Sequence, residues 1–239
     1  MPAPSRRGRP RTLLRQVIDG IFYVLRSGCQ WRLLPKDLGA WVTIYGWFRR
    51  WKISGVWIQL NDRLRAQVRA AASKRCRPTA AILDSQTVRS ADHPGTRGYD
   101  AAKKTKGRKR HLLVDTLGLL LAITVTPADV PERAGAQLLL TDALLWLNWL
   151  RRLWVDGGSS GPDFAEWVRQ QRPKLHVEVV ARLGEIHGFK VLPHRWVVER
   201  TFGWLMKQRR LVRDYEETIS SAENWVYIAM IRIMLRRLA

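Results

Sequence analysis

Leu13, Val17, Ile21, Val24 and Leu25 recur at helical spacing, and the pattern stops at Gly28. A first helix follows, beginning at Thr12, whose side chain can cap it. Tyr45, Trp47, Phe48 and Trp51, set among Arg49, Arg50 and Lys52, predict a second helix over 43–52, broken by Gly55. A third, over 56–71, carries Trp57, Leu60, Leu64 and Val68 on one side and Arg63, Arg65 and Arg69 on the other. Beyond Pro78 the period changes. Ala81-Ile82-Leu83 is a short apolar run that closes on Asp84, as a buried strand would. His111–Val114 and Leu119–Thr126 are apolar, β-branched runs around Asp115-Thr116-Leu117-Gly118 and predict a β-hairpin, with Asp115 in its turn. Further on come a helix from Pro131 through Trp146, a strand ending at Asp156, a helix over 162–171 and a strand over 175–180. Helices over 195–211 and 222–238 complete the pattern, and 91–110 and 182–193 read as loops.

That order is an α/β pattern in which an antiparallel hairpin lies beside parallel strands. The link Ser73–Thr79, basic and proline-containing, divides the chain into residues 1–75 and 76–239. The first part holds three short helices with basic outer faces, an architecture like helix-turn-helix, in which one helix enters the major groove. There the tryptophans read as core and the arginines as the working surface. Residues 1–11 read as a basic arm able to lie along a nucleic-acid backbone.

Charge narrows the partner. The 42 Lys and Arg outnumber the 20 Asp and Glu, giving +22. A protein this basic gains by neutralising phosphates, because condensed counterions are released. Two cysteines, Cys29 and Cys76, form no disulfide framework and no metal-ligand spacing. The richest apolar stretch, 137–155, is interrupted by Asp142, Asn148, Arg151 and Arg152 and is no membrane span. The start carries no apolar signal segment, so the expected location is the cytoplasm, without membrane partners.

Three acids stand out. Asp84 and Asp156 both end buried strands, where a carboxylate is held rigidly yet can reach a ligand, although an Asp in that place is more often a turn residue or helix cap. Glu199 sits in an apolar helical stretch with Trp196, Val197, Val198 and Phe202, which suggests partial burial and a cation or an arginine as partner. Two or three such oxygens suit Mg²⁺, and a pair of ions can drive in-line phosphoryl transfer. The run Lys103, Lys104, Lys106, Arg108, Lys109, Arg110 is the densest positive segment and lies near Asp84 in sequence, so it reads as a holder of phosphates. No P-loop, zinc spacing or Ser/His nucleophile pair occurs.

Four stretches taken together resemble the DDE transposases of bacterial insertion sequences, the insertion-sequence-five group. They are Leu25–Pro35 (LRSGCQWRLLP), Arg97–Gly118 (RGYDAAKKTKGRKRHLLVDTLG), Asp156-Gly157-Gly158 and Arg195–Leu205 (RWVVERTFGWL). The resemblance implies an RNase H-like catalytic domain, a mixed sheet flanked by helices, behind a small helical DNA-binding domain. It implies Asp84, Asp156 and Glu199 as catalytic metal ligands for Mg²⁺ or Mn²⁺, two ions. It further implies cleavage of double-stranded DNA at inverted-repeat ends, strand transfer of the 3′-hydroxyl into target DNA, and a homo-oligomer assembled on DNA. Arg97, the basic run from Lys103 to Arg110, Arg200, Arg49 and Arg50 are the expected DNA contacts. Ser159 stands where this group commonly has Tyr, and the group usually carries a further N-terminal segment ahead of Arg7. The alternative expectation is therefore a shortened transposase that only binds DNA.

Overall fold

The computed structural model describes residues 13–92, 95–157, 161–180 and 195–239. The basic arm, the Thr12 cap, residues 158–160 after Asp156 and the loop over 182–193 lie outside the described residues.

Helices α1 (Leu14–Ser27), α2 (Trp41–Ile53) and α3 (Val56–Ala71) form as the apolar spacing predicts. Gly28 ends α1 in a left-handed conformation, φ 72°, and its N–H returns to the Val24 carbonyl. The strands are β1 (Ala80–Arg89), β2 (Gly98–Asp100), β3 (Thr105–Asp115), β4 (Leu120–Pro127), β5 (Arg152–Val155) and β6 (His176–Val179). Between and after them run α4 (Glu132–Trp146), α5 (Pro162–Gln171), α6 (Arg195–Met206), the short α7 (Arg209–Val212) and α8 (Ile219–Leu238). A helix expected to run unbroken over 195–211 is thus two, interrupted after Met206. Among the described residues no helix is long and apolar enough to cross a membrane.

The six strands among the described residues form one mixed sheet, in which β1 pairs antiparallel with β3 and parallel with β5, and β5 pairs parallel with β6. The other edge of β3 takes β4 along most of its length and β2 at its start. Side chains alternate across the sheet. Ile82, Leu112, Val114, Leu120 and Trp154 pack with α1–α3, α6 and α8. Ala81, Leu83, Leu113, Leu153 and Val155 pack with Leu139 and Leu140 of α4 and Phe164 and Val168 of α5.

The N-terminal helices therefore share one continuous apolar cluster with α8 and a sheet face. Trp31, Phe48 and Trp225 make the joint, with ring centroids 5.6 Å apart for Trp31–Trp225 and 5.0 Å for Phe48–Trp225. The expected basic outer face of α3 needs correcting. Arg65 and Arg69 point inward, Arg65 onto Asp62 (2.6 Å) and the Leu120 carbonyl (2.9 Å), Arg69 onto the buried Asp115. Only Arg63 of the three stays exposed.

The largest departure lies in 91–110, expected to be loop. β1 continues five residues past Asp84, and β3 begins at Thr105, so Val88 pairs with Arg108 and Arg89 with Gly107. Arg108, Lys109 and Arg110 are strand residues with exposures of 1, 5 and 2%. Their charge is turned inward. Arg108 meets Asp214 (3.1 Å) and donates to the carbonyls of Thr96, Glu216 and Glu217. Arg110 donates to the Leu211 carbonyl, and burial pulls its guanidinium down to about 10 against the opposing pull of Asp214 and Glu216. Lys109 donates to the Val130 carbonyl. The run reads as a phosphate holder in the sequence because most partners of Arg108 and Arg110, namely Asp214 and the carbonyls of Leu211, Glu216 and Glu217, lie a hundred residues away.

The outer edge of β4 is occupied by side chains. Asn61 and Arg65 both donate to the Leu120 carbonyl, and the Val125 N–H donates to Glu223 (3.0 Å). Such capping blunts a strand edge that could otherwise pair with another chain.

Two outcomes are expected. Asp214→Ala strands the Arg108 guanidinium in the core and should lower unfolding free energy by about 3–5 kcal/mol, read from urea denaturation; a loss under about 1 kcal/mol would show that the carbonyls alone satisfy Arg108. Burial pushes the Glu223 carboxyl up from 4.5 to about 7, opposed by the Val125 N–H and aided by Asp142. With the folded pKa above the unfolded one, stability from this group is full below about pH 4.5 and is lost as pH rises through about 7. Glu223→Gln keeps the acceptor without the charge, so its urea midpoint should match wild type near pH 4.5 and exceed it at pH 8. An identical gap at both pH values would remove Glu223 as the source.

Candidate active site

The parallel ladder between β1 and β5 pairs Leu83 with Val155. Asp84 and Asp156 are the next residue on each strand, so the two acids leave neighbouring strands at the same level. Strands lie about 4.8 Å apart, which makes the two backbones immediate neighbours. Both acids also share a face: Asp84 has the parity of Ile82 and Asp156 that of Trp154, whose side chains pack on the α6 side. Asp84 is 9% exposed and its Oδ1 accepts the Ser85 N–H at 2.7 Å. Its strand does not end there, as the sequence suggested, because pairing with β3 carries β1 on to Arg89.

A narrow cleft of about 10 Å³, close to the room one water needs, separates the two acids, walled by Trp154, Val180 and Val198. Val198 reaches it because α6 packs against β1 with Val197, Val198, Phe202 and Leu205 buried. Glu199 is the next residue on that helix and is exposed, not partly buried as its apolar neighbours suggested. Helical rotation of about 100° per residue turns it off the packed stripe. Among the described residues no three His, Cys, Asp or Glu lie close enough together to hold a metal ion. The fold thus brings Asp84 and Asp156 together and places Glu199 next in sequence to Val198, which lines their cleft.

The expected phosphate contacts divide. Arg108, Lys109 and Arg110 are spent inside the fold. Arg200 is clamped between Trp196 and Trp204, 4.4 and 4.6 Å from the ring centres, and donates to the Leu117 carbonyl. Desolvation lowers its pKa. Lys104 and Lys106 are exposed, and Lys103 meets Glu132 at 3.3 Å while remaining 45% exposed. Arg49 and Arg50 are exposed on α2, Arg50 lying 4.1 Å over Trp47. Arg97 and Lys106 line an open cavity of about 300 Å³ together with Arg89, Arg213 and Asp92, the last paired with Arg97 at 3.1 Å. Arg89 and Arg213 carried no signal in the sequence. A bridge between Ser90 and Asp214 brings Arg213 beside the end of β1.

Residues 75–234 match the family model described as the transposase DDE domain. The chain belongs to this family. Residues 1–61 match a second model, the putative transposase of the IS4/5 family. Over 141 residues the chain is 34% identical to a putative transposase for insertion sequence element IS402 of Burkholderia cepacia, covering 56% of this chain and 64% of that protein. Over 94 residues it is 35% identical to an uncharacterized 16.2 kDa protein of insertion element IS402, also of Burkholderia cepacia, covering 37% of this chain and 63% of the relative. The chain therefore spans a little under two thirds of the curated relatives it matches.

Divalent metal ions are general to the DDE family. Asp84 and Asp156 fit one: both are hard oxygen donors, they come from rigid neighbouring strands, and one or two carboxylates with water are what Mg²⁺ usually takes from a protein. Mn²⁺ binding, followed by the enhancement of water-proton relaxation or by calorimetry, should weaken at least tenfold in Asp84→Asn and in Asp156→Asn while the melting curve keeps its shape. Unaltered affinity in both would place the ion elsewhere.

Proposed function

We propose that this chain is a metal-dependent DNA transposase, cleaving duplex DNA at the inverted-repeat ends of its element and joining the freed 3′-hydroxyl to target DNA. The observation that carries the proposal is the parallel register of β1 and β5, which sets Asp84 and Asp156 side by side on one face. The strand order, with β1 between an antiparallel hairpin and two parallel strands, supports an RNase H-like reading of the domain.

Asp84 and Asp156 would hold the ions, with Glu199 completing the set from α6. Divalent metal bound there would supply Lewis-acid activation of the attacking oxygen and charge stabilisation of the departing one in an in-line displacement. Arg97, Lys103, Lys104 and Lys106, with Arg89 and Arg213, hold the phosphate backbone beyond the far end of β1. Arg49 and Arg50 on α2 are the helical domain's DNA contacts, in a helix-turn-helix-like role. Copies assemble on paired ends, as joining two ends to one target requires.

One observation favours a second reading: the three acids do not form a metal-holding group among the described residues. On that reading the chain binds DNA ends and does not cut. Purified protein incubated with labelled end DNA separates the two. The enzyme nicks with Mg²⁺, not with chelator, and Asp84→Asn abolishes nicking while binding persists. Tight binding without metal-dependent nicking in wild type would leave the binding protein.

A further inference from the structure

The cleft between Asp84 and Asp156 lies midway along β1 and just past the carboxyl end of β5. At the opposite end of the sheet, β1, β5 and β6 start in a row, Ala80 beside Arg152 beside His176. Three segments far apart in sequence converge there and bring Lys74, Arg75, Arg77, Arg151, Arg152 and Lys174, all exposed. Against them, these strand starts carry one exposed acid, Glu178, 3.9 Å from Arg152.

The backbone carrying most of these cations is held, and so is the head of Arg77. Arg77 lies 4.9 Å over the Trp149 ring, which fixes its planar head. The N–H groups of Arg151 and Arg152 both donate to the Thr79 carbonyl, at 2.8 and 3.1 Å. Lys74 N–H donates to the Arg69 carbonyl, and the Arg69 guanidinium donates back to the Arg75 carbonyl at 2.7 Å. Between them opens a cavity of about 220 Å³ lined by Lys74, Arg75, Arg77, Thr79 and Thr116. Fixing like charges beside one another raises the energy of the compact state, and a polyanion relieves it.

We propose that this end of the sheet is a second binding surface for duplex DNA, so that one subunit holds two duplexes at once. The inference rests on the transposase reading above. From Ala80 to Arg89 the strand spans about 30 Å, roughly three Debye lengths at 0.1 M salt. Phosphates held at one end are therefore electrostatically independent of those held at the cavity lined by Arg89, Arg97 and Lys106.

The test uses two short duplexes, one carrying a donor dye and one an acceptor, with the full chain. Wild type should bridge them and give energy transfer. The triple variant Arg75→Ala/Arg77→Ala/Arg151→Ala should lose at least about tenfold in bridging affinity and flatten its salt dependence by about 0.9 per phosphate contact removed. Anisotropy should show its binding of a first duplex nearly intact. An equal-charge control, Arg15→Ala/Lys36→Ala/Arg169→Ala, should bridge as wild type does. If the triple variant does not fold, Arg75→Gln and Arg151→Gln separately should each flatten the salt slope by about 0.9. Bridging unchanged by these substitutions overturns the second surface while leaving end binding and nicking untouched. Loss of polyglutamate retention with bridging intact would assign the surface to an acidic protein and overturn it as well. Wild type that binds no duplex at all removes this surface together with the transposase reading.

Discussion

Backbone pairing along both edges of β1 is the constraint from which the rest of the molecule follows. One edge takes β3 antiparallel over nine residue pairs and the other takes β5 parallel over four. Because a strand flips every side chain when its register slips by one, the parallel ladder decides whether Asp84 and Asp156 share a face. It also decides which helices cover them. Ile82 and Trp154 must meet α6 and α8, and the acids, two positions on, inherit that side. Burying Ile82, Trp154 and Val198 therefore helps to hold the acids in place.

Much of this was legible in the chain. The helices with a strong apolar stripe and a glycine or proline at their ends, such as α3 and α5, run over the residues that periodicity assigns. The apolar runs before Asp84 and Asp156 do form buried strands, although β1 runs on past Asp84 to Arg89. What failed to read were positions whose environment comes from far along the chain. Arg65, Arg69, Arg108 and Arg110 look solvent-facing by type, yet each has a carbonyl or carboxylate waiting on a distant element, and satisfying those donors is what permits burial. Glu199 erred in the other direction: an apolar neighbourhood in sequence is not one in space when the residue lies off the helix's packed stripe.

The same arithmetic redraws the meaning of the +22 charge. Part of it is structural, with guanidinium groups tying the segment over 211–217 across the extended end of the β1–β3 ladder. The cations left outside are fewer than composition implies, and two groups of them lie at the two ends of the sheet. Net charge identified the class of partner; only the fold says which charges are available to it.

The joint made by Trp31, Phe48 and Trp225 has a consequence for how the chain is made. The apolar cluster that unites the first helices with the sheet is completed by Trp225, Ile228, Met230 and Met234, so α1–α3 emerge during synthesis well before their packing partner exists. At about 5–20 residues per second they wait some ten seconds or more with tryptophans uncovered. A transcript broken anywhere upstream of α8 would yield a product unable to close its core and destined for proteolysis. Only uninterrupted copies of the reading frame would then yield a folded protein.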